Sequence, residues 1–263
     1  MSISRIAIAQ LGSREDYSIP LAWQNLDNLE QFYTDFYLYP HEKHFISLLA
    51  QLPPLRSLCQ KLLSRYHPQL NSSAITRFNQ LGINYIRAIS RSSTTEALFQ
   101  TFMDYGLEFN RAILNKGLPD ISHLYAFDHA ALELFQWAKP KQIHCILNQI
   151  YPALYEEQLE AEEEERWSNW SIAPRLPFYQ SQTFQRWRDM QLAEWELADT
   201  IIVNSHYSGQ AITQMYPAIA SKVEVVPLSV NFEHYLPYQR VRDYQRDQPL
   251  RVLFVGSVNL RKG

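Results

Sequence analysis

Ile3-Ser4-Arg5-Ile6-Ala7-Ile8-Ala9-Gln10-Leu11-Gly12-Ser13 is the stretch that decides the fold class. Ile6 to Ala9 is a short continuous apolar run, the pattern of a strand buried on both faces. It ends at Leu11-Gly12-Ser13, which reads as a loop. Beyond Pro20, Leu21, Ala22, Leu26 and Leu29 recur at three- and four-residue spacing, as on one face of a helix. Phe32 to Tyr37 then reads as a second, aromatic-rich strand. Strand, loop, helix, strand is the opening of a parallel α/β sheet.

The alternation continues along the chain. Leu98, Phe102, Tyr105, Phe109 and Ile113 predict a helix over about 96–115, with Gly117 as its stop signal. Ile121–Phe127 reads as a strand, His129–Ala138 as a helix and Ile143–Gln149 as a strand. A long helix is expected over about 180–198, from Phe184, Trp187, Met190, Leu192, Trp195 and Leu197. Thr200–Asn204 is the next strand, Ser205 is suited to cap the helix through Met215, and Lys222–Val226 is a further strand. Residues 237–249, polar and bounded by prolines, have linker composition. Leu250–Val255 after them reads as another buried strand, leading through Gly256 to Arg261-Lys262-Gly263.

Composition narrows the function classes. The 263 residues can bury a substantial core, and 24 Lys and Arg against 27 Asp and Glu exclude a basic nucleic-acid-binding chain. Two cysteines, Cys59 and Cys145, cannot build a disulfide framework or a four-cysteine zinc site and read as buried thiols. No apolar run approaches the ~18–20 residues of a membrane span, so a cytoplasmic protein is expected. His41 and His44 lack a third metal ligand nearby in sequence, and no dinucleotide fingerprint, nucleophile elbow or phosphate loop is present.

Two charge runs stand out. Residues 43–95 carry Lys43, Arg56, Lys61, Arg65, Arg77, Arg87 and Arg91 and no acid. This segment reads as a helical insertion with solvated charges, or as a basic surface for phosphates or anionic lipid headgroups. Glu156, Glu157, Glu160 and Glu162–Glu165 precede Arg166 and read as a solvated helix face first, and second as a partner for the basic stretch.

The segment Glu194-Trp195-Glu196-Leu197-Ala198-Asp199-Thr200-Ile201-Ile202-Val203-Asn204-Ser205 is followed by Val223-Glu224-Val225-Val226-Pro227-Leu228-Ser229-Val230-Asn231. After the linker come Arg251-Val252-Leu253-Phe254-Val255-Gly256-Ser257 and Arg261-Lys262-Gly263. This ordered set resembles the domain junction of family 4 retaining glycosyltransferases, which face two Rossmann-like domains across a cleft (the GT-B fold). Gly12–Pro20 and Tyr33-Thr34-Asp35 resemble a branch of the same family. Ser229 and Ser257 depart from it, standing where members usually carry Gly and Arg.

The resemblance implies a Rossmann-like parallel sheet flanked by helices, with a helical insertion at about 43–117, as half of a GT-B architecture. Residues 1–236 would be the acceptor-side domain, 237–249 the linker and 250–263 the start of a truncated donor domain. It implies sugar transfer, with retention, from a nucleotide-sugar donor to an acceptor, without a metal or other cofactor. Gly256, Arg261 and Lys262 would meet the donor diphosphate, whose leaving charge needs cations or backbone N–H groups. Without the rest of the donor domain, the chain alone is expected to be impaired or inactive. The competing reading is a non-catalytic α/β binding module that uses the basic stretch.

Ligands of open α/β sheets sit beyond the carboxyl ends of the strands. Gly12, Ser13, Arg14 and Tyr17 therefore make either a ligand loop or an ordinary strand–helix turn. Asp128 and His129, after the strand ending at Phe127, read as groups that bond or deprotonate an acceptor hydroxyl, or, for Asp128, as a helix cap. Gln149 is a polar contact candidate in the same cleft, and Ser205 is a cap first and a ligand contact second.

Overall fold

Strand β1, Ile6–Gln10, is buried along its whole length because it lies in the middle of the sheet. The computed structural model describes residues 5–152, 154–167, 169, 176–228, 236–238 and 252–256. In chain order the elements are β1, α1 (Ser18–Asn25), β2 (Leu29–Thr34), α2 (Pro40–Leu49), α3 (Arg56–Leu63), β3 (Ile75–Arg77), α4 (Asn79–Arg91) and α5 (Thr95–Lys116). There follow β4 (His123–Phe127), α6 (Leu132–Ala138), β5 (His144–Gln149), α7 (Leu154–Arg166), α8 (Leu176–Tyr179), α9 (Gln182–Leu197), β6 (Thr200–Val203), α10 (His206–Met215) and β7 (Val223–Val225). The seven strands pair in parallel in the order β3-β2-β1-β4-β5-β6-β7. With helices packed on it, this is the Rossmann-like α/β arrangement expected from the sequence.

Alternation along the strands divides the core. Ala7, Ala9, Leu124, Ala126, Cys145 and Leu147 face Phe109 and Ile113 of α5, Leu134 and Phe135 of α6, and Trp195 of α9. Ile6, Ile8, Phe32, Tyr125 and Phe127 face the other way, onto Tyr17, Tyr37, Leu70 and the α1 side chains Ile19, Leu21 and Trp23. The alanines on the first face leave room for the helices. Gly106 serves the same end: a methyl group there would overlap the carbonyl oxygen of His129, so α5 approaches the β4–α6 turn at backbone distance.

Several expectations need correction. The second strand runs over 29–34, not 32–37. Its partner β1 ends at Gln10, opposite Thr34, and Asp35 turns away to accept the Gly12 N–H. The segment expected as a helical insertion carries α2 to α5 but also β3, a sheet strand paired with β2. Three residues are too few to show a period of two, so β3 was invisible in the sequence. Helix α6 begins at Leu132 rather than His129. Val252–Val255, expected as a buried strand, form no strand and are 63–85% exposed, since no strand edge pairs with them. The acidic run is helical, as α7, but is not wholly solvated, for Glu157 and Glu164 are buried.

Candidate functional site

The chain leaves β1 toward β2 and β3 on one side of the sheet and resumes at β4 on the other, so the order in which strands are added reverses between β1 and β4 while all stay parallel. Such a switch point opens a crevice at the carboxyl ends of the strands. A cavity of about 460 Å³ lies there. Its floor comes from Leu11 and Arg14 after β1, Asp128 and His129 after β4, and Ile150 and Tyr151 after β5. Aromatic side chains of α4, α5 and α9 (Tyr85, Phe99, Phe102 and Trp187) wall one part, and Glu156, Glu157 and Glu160 of α7 another.

The loop after β1 is held in a strained shape. Gly12 sits at φ +93, and Glu15, Asp16 and Tyr17 follow at φ 51, 49 and 61. The left-handed conformation costs a non-glycine residue roughly 1–2 kcal/mol. Burial of the Tyr17 ring against Phe32 and Tyr37, at 5.8 and 5.6 Å, offsets that cost. The Gln10 amide donates to the carbonyls of Gly12 and Arg14, both at 3.0 Å. The Gly12 N–H donates to Asp35 Oδ1 at 2.8 Å, and Arg65 Nη1 reaches the same oxygen at 3.3 Å. Arg14 is thereby turned onto the cleft. Its Nε donates to the Leu11 carbonyl at 3.2 Å, and its guanidinium stands 5.5 Å from the Phe127 ring.

The turn after β4 depends on a residue 65 positions away in sequence. The fully buried Glu194 of α9 accepts the backbone N–H groups of His129 at 2.7 Å, Ala131 at 2.9 Å and Leu132 at 3.2 Å. It therefore caps α6, the role expected of Asp128. Burial pushes the Glu194 carboxyl up to about 8 despite these three bonds. His129 is held at φ +62, and its ring stacks on Trp187 with centroids 3.3 Å apart.

His129 Nε2 lies 3.1 Å from the Gln191 side-chain amide nitrogen. Nδ1 is buried and has no partner in the described structure. Burial, with Arg14 nearby, holds the imidazole well below its usual value, so it is neutral. Asp128 accepts from Gln149 Nε2 at 3.1 Å, and burial raises its carboxyl to about 6 against the pull of Arg14.

Arg14, Asp128 and His129 thus share one cleft. Gln149 lies beneath it, fully buried, with Oε1 accepting from Trp195 Nε1 at 2.7 Å and Nε2 also donating to the Tyr151 carbonyl at 3.2 Å. It holds Asp128 and is not a cleft surface. Tyr17 belongs to the core, not to the ligand side of its loop. Gly12 and Ser13 lead into the strained turn but do not line the cavity. Ser205 caps α10 through the Ser208 N–H at 3.1 Å. Gly256 is exposed, and Ser229, Ser257, Arg261 and Lys262 lie outside the described residues.

Sequence reasoning passed over Trp187 and Gln191 as site residues and gave Glu194 only a place in a motif. A signal was present. Trp187, Gln191 and Glu194 are four and three positions apart, so two polar residues share the buried face of α9 with a tryptophan.

No family model matches this chain, and no curated protein matches it. Its structural neighbours are glycosyltransferases. It is similar to TcCGT1 in complex with UDP (TM-score 0.46, 10% identity, 94% of this chain and 54% of that one). It is similar to Phytolacca americana UGT2 complexed with UDP-2fluoro-glucose and pterostilbene (0.45, 12%, 88% and 54%). The glycotransferase of kitacinnamycin gives 0.41, 12%, 95% and 56%. The chain spans about half the length of each. At these scores the likenesses assign no activity to this chain.

Proposed function

We propose that this chain is the acceptor-side lobe of a nucleotide-sugar-dependent glycosyltransferase of the two-lobed GT-B kind, of the retaining family 4 branch that its motifs resemble. The observation that supports this reading is the convergence of Arg14, Asp128 and His129 on a cavity at the switch point of the sheet. In sugar transfer the acceptor oxygen bonds to the anomeric carbon, the bond from that carbon to the diphosphate oxygen breaks, and the acceptor proton must leave. With retention, acceptor and leaving phosphate lie on the same face of the sugar, so the departing phosphate oxygen can take that proton. The lobe's task is then to orient the reactants.

His129, kept neutral by burial, lines the cavity without adding charge to it. Arg14 supplies positive charge at the floor, and Asp128, ionised above about pH 6, is available to accept from an acceptor hydroxyl. Gly256, Arg261 and Lys262 would approach the donor diphosphate from the second lobe and serve where other enzymes use a metal.

The test is release of nucleoside diphosphate from a panel of nucleotide sugars, by the 263-residue chain alone and by the chain co-expressed with a donor lobe. Transfer is expected only from the pair, and His129→Ala or Arg14→Ala should lower it at least about a hundredfold, the scale of one lost transition-state donor. Robust turnover by the chain alone would refute the half-enzyme reading. A pair inert toward every donor would refute sugar transfer.

A further inference from the structure

The hairpin of α2 and α3 has two apolar sides, and the core accounts for one. Ile46, Leu62 and Leu63 pack on Phe36 and Leu38. On the outside, Phe45 is 61% and Leu48 64% exposed, one helical turn apart, and Leu52 and Leu55 in the connecting turn are 49% and 36% exposed. A single exposed leucine is ordinary; four large apolar side chains within one short hairpin tip form a patch.

Charge indicates what the patch meets. From Lys43 to Thr95 the chain has no Asp or Glu. Three of its seven cations serve the domain itself: Arg65 pairs with Asp35, Arg77 with Glu42, and Lys43 lies 4.4 Å over the Tyr66 ring. Arg56 and Lys61 of α3 are exposed, with no ion-pair partner among the described residues. An apolar protein partner would need only the leucines. Leucines beside unpaired cations, with no carboxylate in the segment, match a surface that is anionic outside and hydrocarbon within. No described helix is long and apolar enough to cross a membrane, so the match is to the interface.

We propose that the α2–α3 tip docks on anionic lipid bilayers, with Phe45, Leu48, Leu52 and Leu55 at the boundary of headgroups and acyl chains and Arg56 and Lys61 on lipid phosphates. Arg65, just beyond α3, bonds the Asp35 carboxylate that holds Gly12. Docking therefore ties the strained loop at the cleft to the membrane surface. The inference stands apart from the sugar-transfer reading.

The experiment is co-sedimentation of the purified protein with phosphatidylcholine vesicles, with and without phosphatidylglycerol. Binding to the mixed vesicles is expected, falling as ionic strength rises from about 0.05 to about 0.5 M. Each cation at an anionic surface is worth roughly a fivefold change in partitioning, so Arg56→Glu/Lys61→Glu should lower it at least about twentyfold and remove the salt dependence. Phe45→Ser/Leu48→Ser should lower it at least about tenfold at unchanged thermal stability. Absence of binding, equal binding to pure phosphatidylcholine, or variants that bind like wild type would overturn the proposal. So would self-association through Phe45 and Leu48, seen by sedimentation velocity, without vesicle binding.

Discussion

Glu194 concentrates the site's energetics in one side chain. Its two oxygens take three backbone N–H groups where the side chain is fully buried, so removing them leaves buried donors unpaired. Glu194→Ala is expected to cost about 2–4 kcal/mol in urea denaturation, more than a surface cap would. Its raised pKa also sets a pH dependence. The folded protein holds this proton more tightly than the unfolded chain, so the favourable contribution is complete below about pH 4.5 and is lost as pH rises through about 8. The denaturation midpoint should therefore fall between pH 5 and pH 9. Glu194→Gln should flatten that fall, leaving the smaller slope of the same sign that Asp128 contributes up to about pH 6.

Among the helices, close approach matters more than propensity. In an isolated helix alanine is favoured over glycine by about 1 kcal/mol. At Gly106 the order should reverse, because the added methyl meets the His129 carbonyl, a backbone atom that cannot swing aside. Gly106→Ala is expected to destabilise by about 1–3 kcal/mol net of the helix gain and to displace the β4–α6 turn. Gly82 is a parallel case on α4, where a methyl would lie 2.7 Å from both the Asp35 carbonyl and Phe36 Cβ. The loops after β2 and β4 are thus each set by a helix glycine. Loss of the His129–Trp187 stack in Gly106→Ala, read from tryptophan fluorescence, checks the displacement.

Over the whole molecule, the sheet is strongest in the middle and thin at its sides. Strands β1, β4 and β5 have two partners each and five or six residues, whereas β3 and β7 have one partner and three residues. Amide hydrogen exchange should be slowest in β1, β4 and β5 and at least about tenfold faster in β3 and β7. Uniform protection across the sheet would contradict this. The cleft sits at the carboxyl ends of β1, β4 and β5, so its floor is expected to share their slow exchange.

The layered α/β order was legible along the chain, since apolar runs and helical spacing at Ile6–Ala9, Leu98–Ile113 and Thr200–Val203 are local patterns. The Ser205 cap was legible for the same reason: its partner is three residues away. The sequence also placed Arg14, Asp128 and His129 at strand ends, because loops follow strands in any parallel sheet. Tertiary structure alone decided that β3 joins the sheet and that Tyr17 turns inward. It alone made Glu194 rather than Asp128 the cap of α6 and put Trp187 and Gln191 against His129. These outcomes depend on groups dozens of residues apart meeting in a dry interior, where an unpaired N–H or carboxylate is costly enough to choose its partner.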